Sequence, residues 1–243
     1  MSGAKKLNIA DALGTFVGQI DGLHEALPLS MTIIQAVSKA AHKNYQAFID
    51  KHCTEADVDG QEVINVPIDH EHRFNILDRR VRRAETAREI VPRSFVVSLI
   101  SQYDAFLGSL VRAIFNNRPE MLKASGLTLS FSQLSEFSSI DSARDYILEK
   151  EVENLLRGSH SEQFDWMENK FDVKLRKDLP VWPTFVEVAE RRNLFVHCDG
   201  HVSSQYLRVC QEQKAPLETS TVLGSKLGVS PAYFESAYSA ILE

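Results

Sequence analysis

Apolar residues recur at steps of three and four along nearly the whole chain, which restricts it to amphipathic helices packed on shared cores. In the first segment Ile9, Leu13, Phe16, Val17, Ile20 and Leu23 fall on one helix face. Pro28 predicts a break, with Ser30 as N-cap of a second helix carrying Ile33, Ile34, Val37, Ala41, Tyr45 and Phe48. The pattern then lapses over 53–68, where the apolar run 63–68 reads as a strand or an extended linker. Asp69 opens the longest helical stretch, marked by Ile76, Leu77, Val81, Ala84 and Ala87 and then by Phe95, Leu99, Tyr103, Phe106, Leu110 and Ile114. Pro92 predicts a kink or short break within it, and Asn117-Arg118-Pro119 its end.

The second half is punctuated more finely. Residues 126–139 read as a loop with one short helix, and Ser142 with Asp145 as a capping box. Gly158 stops that helix, and Ser159 with Glu162 starts the next. Pro180 and Pro183 suit the first turn of a further helix that ends near Gly200. Residues 202–211 add more helix, and Ser230-Pro231 opens a terminal one that ends near Ile241. The expectation is an all-α fold of roughly seven to nine helices. Its divisions fall at 1–68 (accessory helical region), 69–210 (main helical region) and 211–243 (linker and final helix).

Charge narrows the function classes. Lys and Arg total 27 against 33 Asp and Glu, a net charge of −6, which argues against a protein that coats nucleic acid indiscriminately. The excess is unevenly placed. Residues 73–93 hold Arg73, Arg79, Arg80, Arg82, Arg83, Arg88 and Arg93 against Asp78, Glu85 and Glu89. That stretch reads either as a phosphate-tracking stripe, with Arg79, Arg80, Arg82 and Arg83 meeting RNA, or as a solvated face with pairs such as Asp78–Arg82. Apolar stretches are interrupted by charge before membrane-span length, and three cysteines are too few for a disulfide framework. Both features fit a cytoplasmic protein without a membrane partner.

The segment Glu190-Arg191-Arg192-Asn193-Leu194-Phe195-Val196-His197 carries the chemistry. Given the chain's composition, an Arg-Asn-x-x-x-His string arises by chance about 0.02 times. On a helix Glu190, Asn193 and His197 share one face, with Arg192 beside Asn193. A guanidinium binds phosphate oxygens in bidentate fashion, and an imidazole moves protons near neutral pH. With RNA, the 2′-hydroxyl would be the nucleophile and no metal would be required. The plainer reading is a structural helix end, with Arg192 and His197 capping the last carbonyls.

Arg192-Asn193-x-x-x-His197, late in a bundle of helices, resembles the RNxxxH signature of the HEPN superfamily (higher eukaryotes and prokaryotes nucleotide-binding domains). Asp199-Gly200-His201-Val202, then Tyr206-Leu207, resembles the continuation in bacterial members, and 101–107 their early bundle helix. The resemblance covers about residues 90–210 and implies a helical bundle with a four-helix core, to which the N- and C-terminal helices are additions. It also implies metal-independent endoribonuclease activity, commonly in toxin–antitoxin or antiviral defence roles. It further implies a homodimer with a composite active site, RNA as substrate, and an antitoxin or another defence-system protein as partner. Carried over by position, Arg192 and His197 are catalytic and Asn193 orients the site, with Asp104 or Glu190 in support. Arg191 joins the expected RNA contacts. The alternative is a HEPN-like binding or adaptor module without catalysis.

Other motifs carry less. His197-Cys198-x-x-His201 has the spacing of metal ligands but is interrupted by Gly200, and His70-x-His72 lacks a partner set, so no metal is expected. There is no GxGxxG or Walker A loop, so no nucleotide cofactor is expected, and no GxSxG elbow.

Overall fold

A computed structural model describes residues 8–58, 61–124 and 126–243. The chain is all-α. Two long antiparallel helices, α1 (Ile9–His52) and α2 (Glu71–Asn117), are joined by a small hairpin of β1 (Thr54–Val58) and β2 (Gln61–Asn65). Of the run 63–68 expected as strand or linker, 63–65 lie in β2, and Ile68 opens a short 3-10 turn that leads into α2. Six shorter helices follow: α3 (Phe131–Ser135), α4 (Ile140–Arg157), α5 (His160–Phe171), α6 (Trp182–His197), α7 (Ser204–Glu212) and α8 (Pro231–Leu242).

Serine side chains start most of these later helices, each accepting an otherwise unpaired backbone N–H of the first turn. Ser130 and Ser159 form full capping boxes with Gln133 and Glu162. The box expected at Ser142 and Asp145 lies one turn too late. Ser139 is the cap, and Ser142 is the residue whose N–H it accepts, at 3.1 Å.

Neither internal proline breaks its helix. α1 runs through Pro28 and α2 through Pro92, so Ser30 is a helix-interior residue rather than an N-cap. A mid-helix proline costs on the order of 3 kcal/mol. Packing offsets it. Leu27 is buried beside Pro28 with Met31 packed on the same core, while Val96, Leu99 and Ile100 are fully buried beyond Pro92. Each such side chain contributes about 1.5–3 kcal/mol.

Two cores result. In the larger, Phe16, Ile20 and Leu27 of α1 meet Val96, Leu99 and Ile100 of α2, Phe185 and Val188 of α6, and Phe234 and Ala237 of α8. Phe16, Ile20 and Leu27 from the first segment and Phe234 and Ala237 from the last thus share this core with α2 and α6. The second joins Leu107, Val111 and Phe115 of α2 to Leu148, Val152 and Leu155 of α4 and Met167 of α5. Beyond Pro28 and before Ile90, α1 and α2 face each other, with Tyr45 against Phe74 and His42 within 3.0 Å of Glu85.

The segment Ile68–Asn117, which holds α2, contains an 18-residue window of mean hydropathy 1.3, long and apolar enough by composition to cross a membrane. Its apolarity has a packing explanation here, since Val96, Leu99, Ile100, Leu107, Val111 and Phe115 are all within 2% of complete burial.

Candidate active site

The site grows from α6, which lies between the larger core and α7. Pro183 sits in its first turn, where a missing N–H removes no helical bond. Phe185, Val188 and Ala189 anchor its inner face, which fixes the rotation of the helix and so the directions of Glu190, Arg192 and Asn193. The C-terminal end is closed by backbone groups. The Leu194 carbonyl accepts the N–H of Cys198 at 2.9 Å and of Gly200 at 3.0 Å, with Gly200 at φ +80°. A side chain at Gly200 would press on the Leu227 carbonyl at 3.0 Å and the Arg93 guanidinium at 3.1 Å.

Side chains of three helices meet there. Arg192 donates through Nη1 to Asn193 Oδ1 at 3.0 Å and through Nη2 to Asp104 Oδ2 on α2 at 3.3 Å. Asp104 Oδ1 lies 3.2 Å from Nε2 of His160, the first residue of α5. On the other side Asn193 donates to Glu190, which is only 8% exposed. Burial pushes the Glu190 carboxyl above its ordinary pKa, opposed by His160, Arg208 and the Asn193 hydrogen bond. His160, Asp104, Arg192, Asn193 and Glu190 thus form one continuous polar chain. His197 is exposed on the last turn of α6, one turn beyond Asn193 on the same face.

The structure therefore brings together Arg192, Asn193, Asp104 and Glu190. Arg192 does not cap the helix, since both of its hydrogen bonds run to side chains. His160 is the residue that sequence reasoning missed. It lies 56 positions from Asp104, and only the tertiary fold joins them.

Arg191 departs from its expected RNA-binding role. It is 8% exposed and points from the opposite side of α6 into a closed cluster. Its Nε donates to Glu187 Oε1 at 2.6 Å, its Nη1 to the Gly228 carbonyl at 3.3 Å, and its guanidinium carbon lies 3.9 Å from the centre of the Tyr233 ring. Tyr206 and Tyr233 also donate to Glu187, at 2.5 and 2.9 Å, and burial beside that carboxylate raises both phenol pKa values.

Arg79, Arg80, Arg82 and Arg83 are exposed on the outer half of α2, with Arg82 paired to Asp78 at 2.8 Å and Arg79 Nε donating to the Asn75 carbonyl. Arg82 and Asp104 lie 22 residues apart on one helix, about 33 Å, so this stripe does not adjoin the site. Downstream, Asp199 is held below its ordinary pKa by Lys226, with Arg93 adding to the effect. His201 Nδ1 lies 3.1 Å from the Cys198 carbonyl. Among the described residues no three His, Cys, Asp or Glu side chains are grouped to hold a metal ion.

No family model, curated protein or solved structure matches this chain.

Proposed function

We propose that this chain is a HEPN-type, metal-independent endoribonuclease acting in the cytoplasm, as a toxin or antiviral defence effector. The observation that carries the reading is the polar chain on α6, with Arg192 held between Asp104 and Asn193 and His197 exposed one turn beyond. In the reaction the 2′-hydroxyl oxygen bonds to phosphorus, the bond from phosphorus to the 5′-oxygen breaks, and a 2′,3′-cyclic phosphate results. The hydroxyl proton passes to a base, and a proton is delivered to the departing 5′-oxygen. His197 serves in one of these transfers. Arg192 neutralises the charge that grows on the phosphoryl oxygens, while Asn193 holds the guanidinium from the side. A second copy of the chain supplies the second imidazole in a composite site, and an antitoxin or other defence-system protein restrains the enzyme.

The test is cleavage of RNA by the purified protein in EDTA, with His197→Ala and Arg192→Ala alongside. Each substitution should lower the rate by at least about a hundredfold. Activity that survives both substitutions, or that disappears on chelation, refutes the mechanism.

One observation favours a second reading, a binding or adaptor module without catalysis. Two of the Arg192 nitrogens are already bonded within the protomer, and its Nε is buried without a partner. A guanidinium so engaged serves structure as readily as it serves a phosphate. That reading predicts no cleavage of any RNA and an Arg192→Ala variant that is destabilised.

A further inference from the structure

We propose that His160 is a positioning residue of the α6 site, holding Asp104 so that Asp104 fixes the guanidinium of Arg192. The kinetic half of this proposal rests on the endoribonuclease reading above; its structural half does not.

His160 is set by its surroundings rather than by Asp104 alone. It follows the Ser159 N-cap, where Ser159 N–H donates to Glu162 Oε2 at 2.7 Å and Glu162 N–H donates to Ser159 Oγ at 3.3 Å, so the backbone at the start of α5 is tied down. The imidazole then lies between two aromatic rings, Tyr103 at 5.8 Å and Phe185 edge-on at 5.5 Å. Only 11% of the side chain is exposed. A ring enclosed this way has little rotational freedom, and its Nε2 offers a fixed point 3.2 Å from Asp104 Oδ1.

Asp104 needs that fixed point. Its side chain is 25% exposed, and its other oxygen meets Arg192 Nη2 at 3.3 Å, a long contact for a charge-assisted hydrogen bond. A single contact of that length, between side chains about one-quarter exposed, does not by itself select one carboxylate orientation. With Oδ1 held by His160, the carboxylate plane is set and Oδ2 is aimed at Arg192. Arg192 has few other restraints. Its Nη1 reaches Asn193, and its Nε is buried without a partner. The enclosed imidazole therefore orients the carboxylate that meets the arginine.

The experiment uses the full chain and does not require activity. Nitrogen-15 NMR of the Arg192 guanidinium reads its Cζ–Nη rotation in wild type, His160→Leu, His160→Gln and Asp104→Asn. Rotation should accelerate about tenfold in His160→Leu, the equivalent of one hydrogen bond lost, and return to near wild type in His160→Gln, whose amide N–H stands in for Nε2–H. Asp104→Asn should release Arg192 likewise and move the His160 ring resonances. If kinetics can be measured, His160→Leu should lower kcat about tenfold with KM within about twofold, and His160→Gln should restore most of the rate. An Arg192 rotation rate unchanged in a folded His160→Leu variant overturns the proposal. Should that variant not fold, His160 resonances that stay put in Asp104→Asn overturn it instead. A wild-type protein that cleaves no RNA refutes the nuclease reading, while the guanidinium dynamics still decide the role of His160.

Discussion

Arg191 and Arg192 are neighbours in sequence with opposite expected behaviour, and substitution of Arg191 tests the difference. In Arg191→Ala, Glu187, which is 3% exposed in the native chain, keeps its two tyrosine hydroxyls but loses its ion pair with Arg191. Removing one member of a buried pair costs about 3–5 kcal/mol, because the other charge is left without compensation. Both side chains are at least nine-tenths buried, so solvent does not screen that loss appreciably. For a domain of this size each kcal/mol lowers the melting temperature by about 2–4 °C, which places the expected drop between about 6 and 20 °C. Glu187→Ala should also destabilise, by leaving Arg191 with the Gly228 carbonyl and the Tyr233 ring. The double variant should lose less than the sum of the two, with a coupling of about 2 kcal/mol or more. The assay is thermal and urea unfolding of the four proteins of this cycle, each followed by far-UV circular dichroism. Losses that simply add, or an Arg191→Ala protein that melts within about 2 °C of wild type, refute the cluster as a source of stability. An Arg191→Ala variant of native stability but weakened RNA binding would restore the contact role that its burial opposes.

Two further outcomes follow from individual contacts. Glu168 accepts the N–H groups of Leu175 and Arg176 at 2.9 and 2.8 Å and the Arg176 guanidinium at 2.6 Å, which together lower its carboxyl pKa to about 2. Because the folded-state value lies below the unfolded one, the stabilisation is complete above about pH 4.5 and is lost as pH falls toward 2. Glu168→Gln should therefore lower stability at pH 7 and flatten the acid-unfolding profile below pH 4.5, and an unchanged profile would show that these contacts do not carry it. Gly200→Ala should lose about 1–3 kcal/mol, since a non-glycine residue at φ +80° is strained and its Cβ would press on the Leu227 carbonyl and Arg93; urea unfolding reads this, and a neutral result would refute the need for glycine there.

The helical architecture was legible because burial imposes a period of 3.6 residues on every helix that packs one face. The two prolines misled for a reason of the same kind. Pro28 and Pro92 oppose helix locally, but Leu27, Val96, Leu99 and Ile100 are buried around them, and tertiary packing outweighs the local penalty. The Ser142 cap was displaced because Ser139, one turn earlier, offers the same chemistry, and composition alone does not choose between two serines. In the site, the part that lies on one helix was readable: Glu190, Asn193 and His197 share a face by spacing, and Asn193 does meet Glu190. His160 left no such trace, because a contact across 56 residues has no period. Arg191 and Arg192 show the limit most sharply. Their identical chemistry gives one local signal, yet a rotation of about 100° between adjacent helical positions sends one toward Glu187 and the tyrosines and the other toward Asp104. The spacing of Glu187 and Arg191 at i and i+4 was itself a readable ion pair. That pairing commits Arg191 to the fold and leaves Arg192 as the one guanidinium of the two facing the candidate site.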